Sequence, residues 1–305
     1  MKPYVLSPAI RAAMDARKPV VALESTIITH GMPYPQNLET ARLVEATVRE
    51  HGAEPATIAV LNGALHVGLT DDQLEWLAQA RDVAKLSRAD MAVCMAQGRT
   101  GATTVAATMI AAQLAGIEVF ATGGIGGVHK GAEDSFDISA DLAELAQTPV
   151  TVVAAGAKAI LDLPKTMEVL ETNGVPVIAV GQDELPAFWS RASGLPAPLR
   201  LDTAHEIARA HRARAALGLP GGQLVANPIP TEHEIPADVL APIIAQATTE
   251  ADQQGITGKA VTPCLLQRIF ELTQGRSLDA NIQLVLNNAR LASAIAREFS
   301  ALPRN

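Results

Sequence analysis

The stretch PVVALESTIITHGMPYPQNLETARLVEATVREHGAEPATIAVLNG, Pro19 to Gly63, decides the fold class. It opens on an apolar run, PVVALESTI, and continues past Pro35 as NLETARLVEATVREHG, in which apolar residues recur at helical spacing. Gly52 stands where a helix takes its C′ glycine. A second apolar run, TIAVLNG (57–63), follows at once. Run, helix and run make the unit from which parallel sheets are built, because parallel neighbours need a crossover between them.

The same alternation continues along the chain. DMAVCMA (90–96), IEVFATGG (117–124), VTVVAAG (150–156) and VPVIAVG (175–181) read as strands buried on both faces. LTDDQLEWLAQAR reads as a helix, with Thr70 as N-cap and acids in its first turn. From about residue 200 the pattern becomes mostly helical, with one apolar piece, GQLVANPIP (222–230), that could add a late strand. The expected architecture is a three-layer α/β/α fold with a large, mainly parallel (mixed) central sheet and a helix-rich C-terminal third. No Gly/Ser linker, repeat or charged tail interrupts it, so residues 1–305 read as one catalytic domain.

Composition removes several classes of function. Two cysteines, Cys94 and Cys264, far apart and without CxxC spacing, predict neither a disulfide framework nor a zinc site. A reducing, cytoplasmic setting is expected. No run approaches the roughly 20 apolar residues of a membrane span, and MKPYVLSPAI lacks the apolar core of a signal peptide. A net charge of −8 and 3% aromatics argue against a nucleic acid as partner, for want of both cationic surface and stacking platforms. A small anion held by local cations stays compatible with that charge.

Chemistry is expected beyond the carboxyl ends of the strands. There, ATGGIGGVHKGAEDSFDISADL packs five glycines beside His129, Lys130, Asp137, Ser139 and Asp141, without a Walker or dinucleotide spacing. Glycines admit a close backbone approach to a phosphate, and Asp137 and Asp141 are hard oxygen donors suited to Mg²⁺ or Mn²⁺. The plainer reading is that Ser139 or Asp141 caps the helix that follows. Lys158, just after VTVVAAG and expected at a helix start, is placed to attack a carbonyl as an amine. It is equally spaced to pair with Asp162 at i+4. Lys85 poses the same choice between a phosphate and solvent, and Glu24, inside an apolar run, between an acid and a structurally paired carboxylate.

Longer blocks separate these alternatives. ALESTIITHGMPYPQNLETA, IAVLNGALHVGLT, VAKLSRAD, GRTGATTVAATM, FATGGIGGVHKGAEDSFDISADL, VAAGAKAILDLPKTMEVLET and SLDANIQLVLNNARLASAIA resemble, in order, the signature blocks of the pseudouridine-5′-phosphate glycosidase, or indigoidine synthase A-like, family. The resemblance implies reversible cleavage of the C–C glycosidic bond of pseudouridine 5′-phosphate to uracil and ribose 5-phosphate. It also implies a divalent metal, typically Mn²⁺ and otherwise Mg²⁺, and a homotrimer. By the same matching Lys158 is the nucleophile that forms a Schiff base with the ring-opened ribose, and Glu24 the proton donor. Asp137 is the metal ligand. Lys85, Val105, Ser139, Ala140 and Asp141 contact the substrate, Thr122 and His129 lie at the sugar phosphate, and Asn281 reads the uracil edge. Asn287 and Asn288 compete with Asn281 for that role. Two other readings stand beside this one: another lysine-dependent phosphosugar lyase or aldolase, which would not need uracil, and a phosphometabolite-binding regulator without chemistry.

Overall fold

The computed structural model describes residues 3–256, 258 and 261–302. The strands are β1 (Tyr4–Leu6), β2 (Val20–Leu23), β3 (Glu54–Leu61), β4 (Ala64–Val67), β5 (Ala84–Leu86), β6 (Gly101–Thr103), β7 (Val119–Ala121), β8 (Thr151–Ala154), β9 (Val177–Val180), β10 (Leu199–Leu201) and β11 (Gln223–Ala226). Around them lie α1 (Pro8–Asp15), α2 (Thr26–Thr29), α3 (Gln36–Glu50), α4 (Asp71–Gln79), α5 (Arg88–Ala96), α6 (Val105–Ala115), α7 (Ala132–Ser135), α8 (Ala140–Gln147), α9 (Leu163–Thr172), α10 (Ala204–Ala216), α11 (Ala237–Gln253), α12 (Val261–Leu272) and α13 (Arg276–Ala301). No helix among the described residues is long and apolar enough to cross a membrane.

All the strands join one sheet, in the order β1-β4-β3-β2-β7-β8-β11-β9-β10, with β6 paired to β3 and β5 to β6. Every pairing is parallel except β3 with β4 and β3 with β6, so the sheet is mixed and mostly parallel, as expected. The first half of β3 pairs with β2, and its second half with β4 and β6. Helix α13 packs across β2, β7 and β8, while α6 packs on β2 and β7 from the other face. The apolar runs are buried on both faces because helices cover both.

Three expectations need correction. DMAVCMA is not a strand but the body of α5. Ser87 and Asp90 close a capping box, with the Ser87 N–H and hydroxyl donating to Asp90 Oδ2 at 2.9 and 3.0 Å. Met91 and Cys94 turn inward at helical spacing while Val93 stays 56% exposed, a pattern no doubly buried strand would show. Glu24 lies one residue past β2, not inside it. Lys158 does not open a helix either: α9 begins at Leu163, where Asp162 accepts from the Lys165 N–H at 3.1 Å as N-cap. Asp162 pairs with Lys165 rather than Lys158.

One buried group makes stability depend on pH. His211 on α10 is buried beneath Phe299 (ring centroids 5.0 Å apart) and meets the Thr151 hydroxyl at 3.0 Å. That hydroxyl already accepts from Gln223 Nε2 at 3.2 Å, which leaves its proton for His211 Nδ1. Burial pushes the imidazole down from 6.5 to about 4, outweighing the attraction of Glu118. The unfolded chain therefore binds this proton first as pH falls. Stability contributed by neutral His211 is complete above about pH 6.5 and is lost towards pH 4, by about 3 kcal/mol. Thermal melts across that window should lose stability more steeply in the wild type than in His211→Gln; parallel curves would contradict this.

Candidate active site

The site is built where β2, β7 and β8 end together. Their register sets Leu23 beside Ala121 and Ala121 beside Val153, so Glu24 and Thr122 emerge as neighbours one step later. Thr122 donates its hydroxyl to Glu24 Oε1, and Thr26 donates to Oε2 from the first turn of α2. The chain turns away from the sheet at Ser25, which is fully buried. The Ser25 hydroxyl donates to the Ile58 carbonyl at 2.7 Å and accepts from the Thr103 N–H at 2.9 Å. Glu24 thus stands on a backbone tied to both β3 and β6.

Pairing between β7 and β8 outlasts the strands themselves. The Ala155 N–H donates to the Gly123 carbonyl at 2.9 Å, that of Ile125 to Gly156 at 3.1 Å, and that of Lys158 to Ile125 at 3.1 Å. Gly156, at φ +90°, is required here: a Cβ would stand 2.6 Å from the Pro186 carbonyl oxygen. Lys158 is half-buried, and its ammonium has no hydrogen-bond or ion-pair partner among the described residues.

Both residues line one cleft of about 370 Å³, together with Lys85, Val105, His129, Asp137, Ser139, Ala140, Asp141 and Asn281. Thr122 is set behind the wall, 2% exposed and turned to Glu24, and Lys130 is not among the residues that line the cleft. The three amides of α13 sort by depth. Asn288 donates to the Thr122 carbonyl at 2.8 Å and accepts from Asn227 at 3.0 Å, and Asn287 donates to the Pro228 carbonyl at 3.0 Å. Asn281 is the one that lines the cleft, beside Gly123.

Three helices also begin at this cleft. Ser87, Thr104 and Ser139, the N-caps of α5, α6 and α8, all line the cleft next to Lys85. Side chains hold these starts together: Arg88 grips Glu144 of α8 through two hydrogen bonds of 2.8 Å, and Asp141 accepts from the Ala106 N–H at 2.9 Å. The second oxygen of Asp141 accepts from the Gly126 N–H at 2.8 Å, so its carboxylate is committed to backbone and is no free metal donor. Ser139 caps α8 through the Asp141 N–H, as its plainer reading had it. His30, on the same wall, is driven below its usual value by burial and then by the Lys85 ammonium. Convergent N–H groups, helix dipoles and a lysine make this part of the cleft electropositive, suited to an anion such as a phosphate.

Asp137 fits a weakly held hard cation. Its carboxylate lines the cleft and takes no protein partner among the described residues, which contain no group of three or more His, Cys, Asp or Glu able to hold a metal. One free carboxylate suits Mg²⁺ or Mn²⁺ that keeps its waters and is completed by a substrate phosphate.

Sequence reading missed Ser87 and Thr104, as well as Thr26, His30, Phe188 and the α12 residues Thr262, Pro263 and Leu266, all of which line the cleft. The signal for Ser87 was the Ser-x-x-Asp capping box, hidden by taking the following residues as a strand.

Comparison with known proteins agrees with this fold. The family of indigoidine synthase A like proteins matches residues 9–298. A protein of Jannaschia sp. (strain CCS1) named pseudouridine-5′-phosphate glycosidase is 72% identical over 298 residues, 98% of this chain and 99% of that one. Its namesake in Paracoccus denitrificans is also 72% identical, over 97% of this chain and 98% of its own. Among solved structures, the prealnumycin C-glycosynthase AlnA in complex with ribulose 5-phosphate superposes with a TM-score of 0.91, at 42% identity over 99% of this chain and 98% of that one. An indigoidine synthase A-like protein from Thermotoga maritima superposes with a TM-score of 0.86, at 35% identity over 93% and 94% of the two chains. The extent of these matches, on a fold and a cleft already defined, places the chain in the indigoidine synthase A like family.

Proposed function

We propose that this chain is a pseudouridine-5′-phosphate glycosidase, reversibly cleaving the C–C glycosidic bond to give uracil and ribose 5-phosphate. The observation that carries the reading is Lys158, whose ammonium has no partner among the described residues, sharing one cleft with Glu24 and with the convergent starts of α5, α6 and α8. The names of the relatives support the same chemistry, as does the pentose phosphate carried by the C-glycosynthase structure.

The 5′-phosphate lies at the starts of α5, α6 and α8 with Lys85, and the base lies towards Asn281. This leaves the sugar beside Lys158. A base leaving from carbon needs a proton on that carbon and an electron pair pushed in at C1′. Lys158 Nζ, as the free amine, bonds to C1′ as the C1′–O4′ bond breaks and O4′ takes a proton, which opens the ring. Glu24 supplies the proton to C5 of the base, the C1′–C5 electron pair returns to the uracil ring, and the nitrogen lone pair becomes the C=N bond. Water then hydrolyses the imine, releasing ribose 5-phosphate and the amine. Thr26 and Thr122 keep the Glu24 carboxyl turned into the cleft. Asp137 would hold Mn²⁺ or Mg²⁺, which when bound offsets phosphate charge through its waters. A homotrimeric, cytoplasmic enzyme completes the proposal, and the two free thiols suit a reducing compartment.

Purified protein mixed with uracil, ribose 5-phosphate and Mn²⁺ should form pseudouridine 5′-phosphate, seen by mass and ultraviolet absorbance. A chelator should prevent it. Carbon–carbon chemistry on the sugar that proceeds without uracil would instead favour the phosphosugar lyase. Lys158→Ala should abolish turnover while melting cooperatively, whereas near-wild-type rates would remove the imine step. Glu24→Gln, close in shape, should lower kcat by about 10²–10⁴-fold. For Asp137→Ala, the Mn²⁺ concentration giving half-maximal activity should rise by roughly tenfold or more; an unchanged value would take the metal away from Asp137.

A further inference from the structure

The segment after β9 contains a residue in a conformation its side chain does not favour. Phe188 has φ +61°, the left-handed region that bulky residues rarely occupy, and it has no glycine's freedom to be there. Such a conformation persists only where the surroundings over-determine it. Here they do. Trp189 packs edge-on to the Phe188 ring, centroids 4.9 Å apart, and both side chains are only 2% exposed. The Ser190 hydroxyl donates to the Ile235 carbonyl at 2.6 Å, the Ile235 N–H returns to Trp189 at 2.9 Å, and the Arg191 N–H reaches Glu234 Oε1 at 2.7 Å.

What this clamp presses on is the pair of loops beyond β7 and β8. The Phe188 N–H donates to the Ala155 carbonyl at 2.9 Å. Its ring lies against Gly124 so closely that a Cβ there would stand 2.7 Å from two ring carbons and 3.1 Å from the Gly156 carbonyl oxygen. Gly124 precedes Ile125, whose carbonyl receives the Lys158 N–H and whose own N–H donates to Gly156. The ring and the backbone of one residue therefore touch both strands of the short ladder that ends at Lys158, and Phe188 itself lines the cleft.

We propose that Phe188 is a positioning residue for Lys158: a strained wedge that fixes the 123–125 and 155–158 loops relative to each other and so sets where Nζ meets C1′. The inference rests on Lys158 being the imine-forming residue. None of the contacts of Phe188 named here is with the starts of α5, α6 and α8, where the phosphate is captured.

The test is steady-state kinetics in the direction of synthesis, at a temperature well below the melt. Displacement by about 1 Å can cost on the order of 10²-fold in rate. Phe188→Ala and Phe188→Leu should lower kcat by about 10- to 100-fold and leave KM for ribose 5-phosphate within about threefold, a split that loss of folded protein alone would not give. Gly124→Ala should reproduce the fall in kcat by driving a methyl into the ring, and Gly124→Ala combined with Phe188→Leu should recover part of it. If wild type makes no product, the function proposed above fails. If wild type turns over and Phe188→Leu keeps its kcat, or loses only KM, the wedge has no positioning role. Should Phe188→Ala fail to fold, Gly124→Ala and the double variant decide the matter: equal, additive losses would overturn the coupling.

Discussion

Everything chemical in this molecule depends on hydrogen bonds that continue a parallel ladder after its strands have ended. Regular pairing of β7 with β8 stops at Ala121 and Val153, yet the two loops exchange N–H···O bonds as far as Lys158. A lysine on an unpaired surface loop would lose its position to thermal motion. On this ladder it is fixed by the same peptide groups that would otherwise need water at the strand ends. The glycines of the first loop serve that pairing. They bring backbone against backbone, with Gly126 under Asp141 and Gly124 under Phe188, where any side chain would force the loops apart.

The cleft brings an acid and a set of helix starts together, and the topology explains how. Strands β5 and β6 run against the direction of β3 and so end head-on to β2, which brings the starts of α5 and α6 to the cleft, where the start of α8 meets them under the Arg88–Glu144 and Asp141–Ala106 ties. Glu24 follows β2, and two threonine hydroxyls, not a cation, satisfy it there.

Much of this was legible in the residues. Crossover units gave the mostly parallel sheet, and end-of-strand placement drew attention to Glu24, Lys158 and the glycine-rich loop. What was not legible has physical reasons. Strands of three residues, such as β1, β5, β6 and β10, are too short to carry a period, and only pairing with neighbours defines them. The Asp90–Ala96 run is apolar enough for either structure, and its capping box was the deciding feature. Asn281 and Asn288 are two helical turns apart on one face of α13, so spacing cannot separate them. An offset of about 10 Å along the axis leaves one over the strand backbone and the other at the cleft. The left-handed backbone of Phe188 was not legible, since a positive φ at phenylalanine is imposed from outside.

The central claim is that Lys158 becomes covalently joined to the sugar. Protein incubated with ribose 5-phosphate and then reduced with borohydride, digested and mapped by mass, tests it most directly. The account predicts a reduced pentose phosphate adduct on the peptide carrying Lys158. No adduct, or one confined to another lysine such as Lys85, would contradict it.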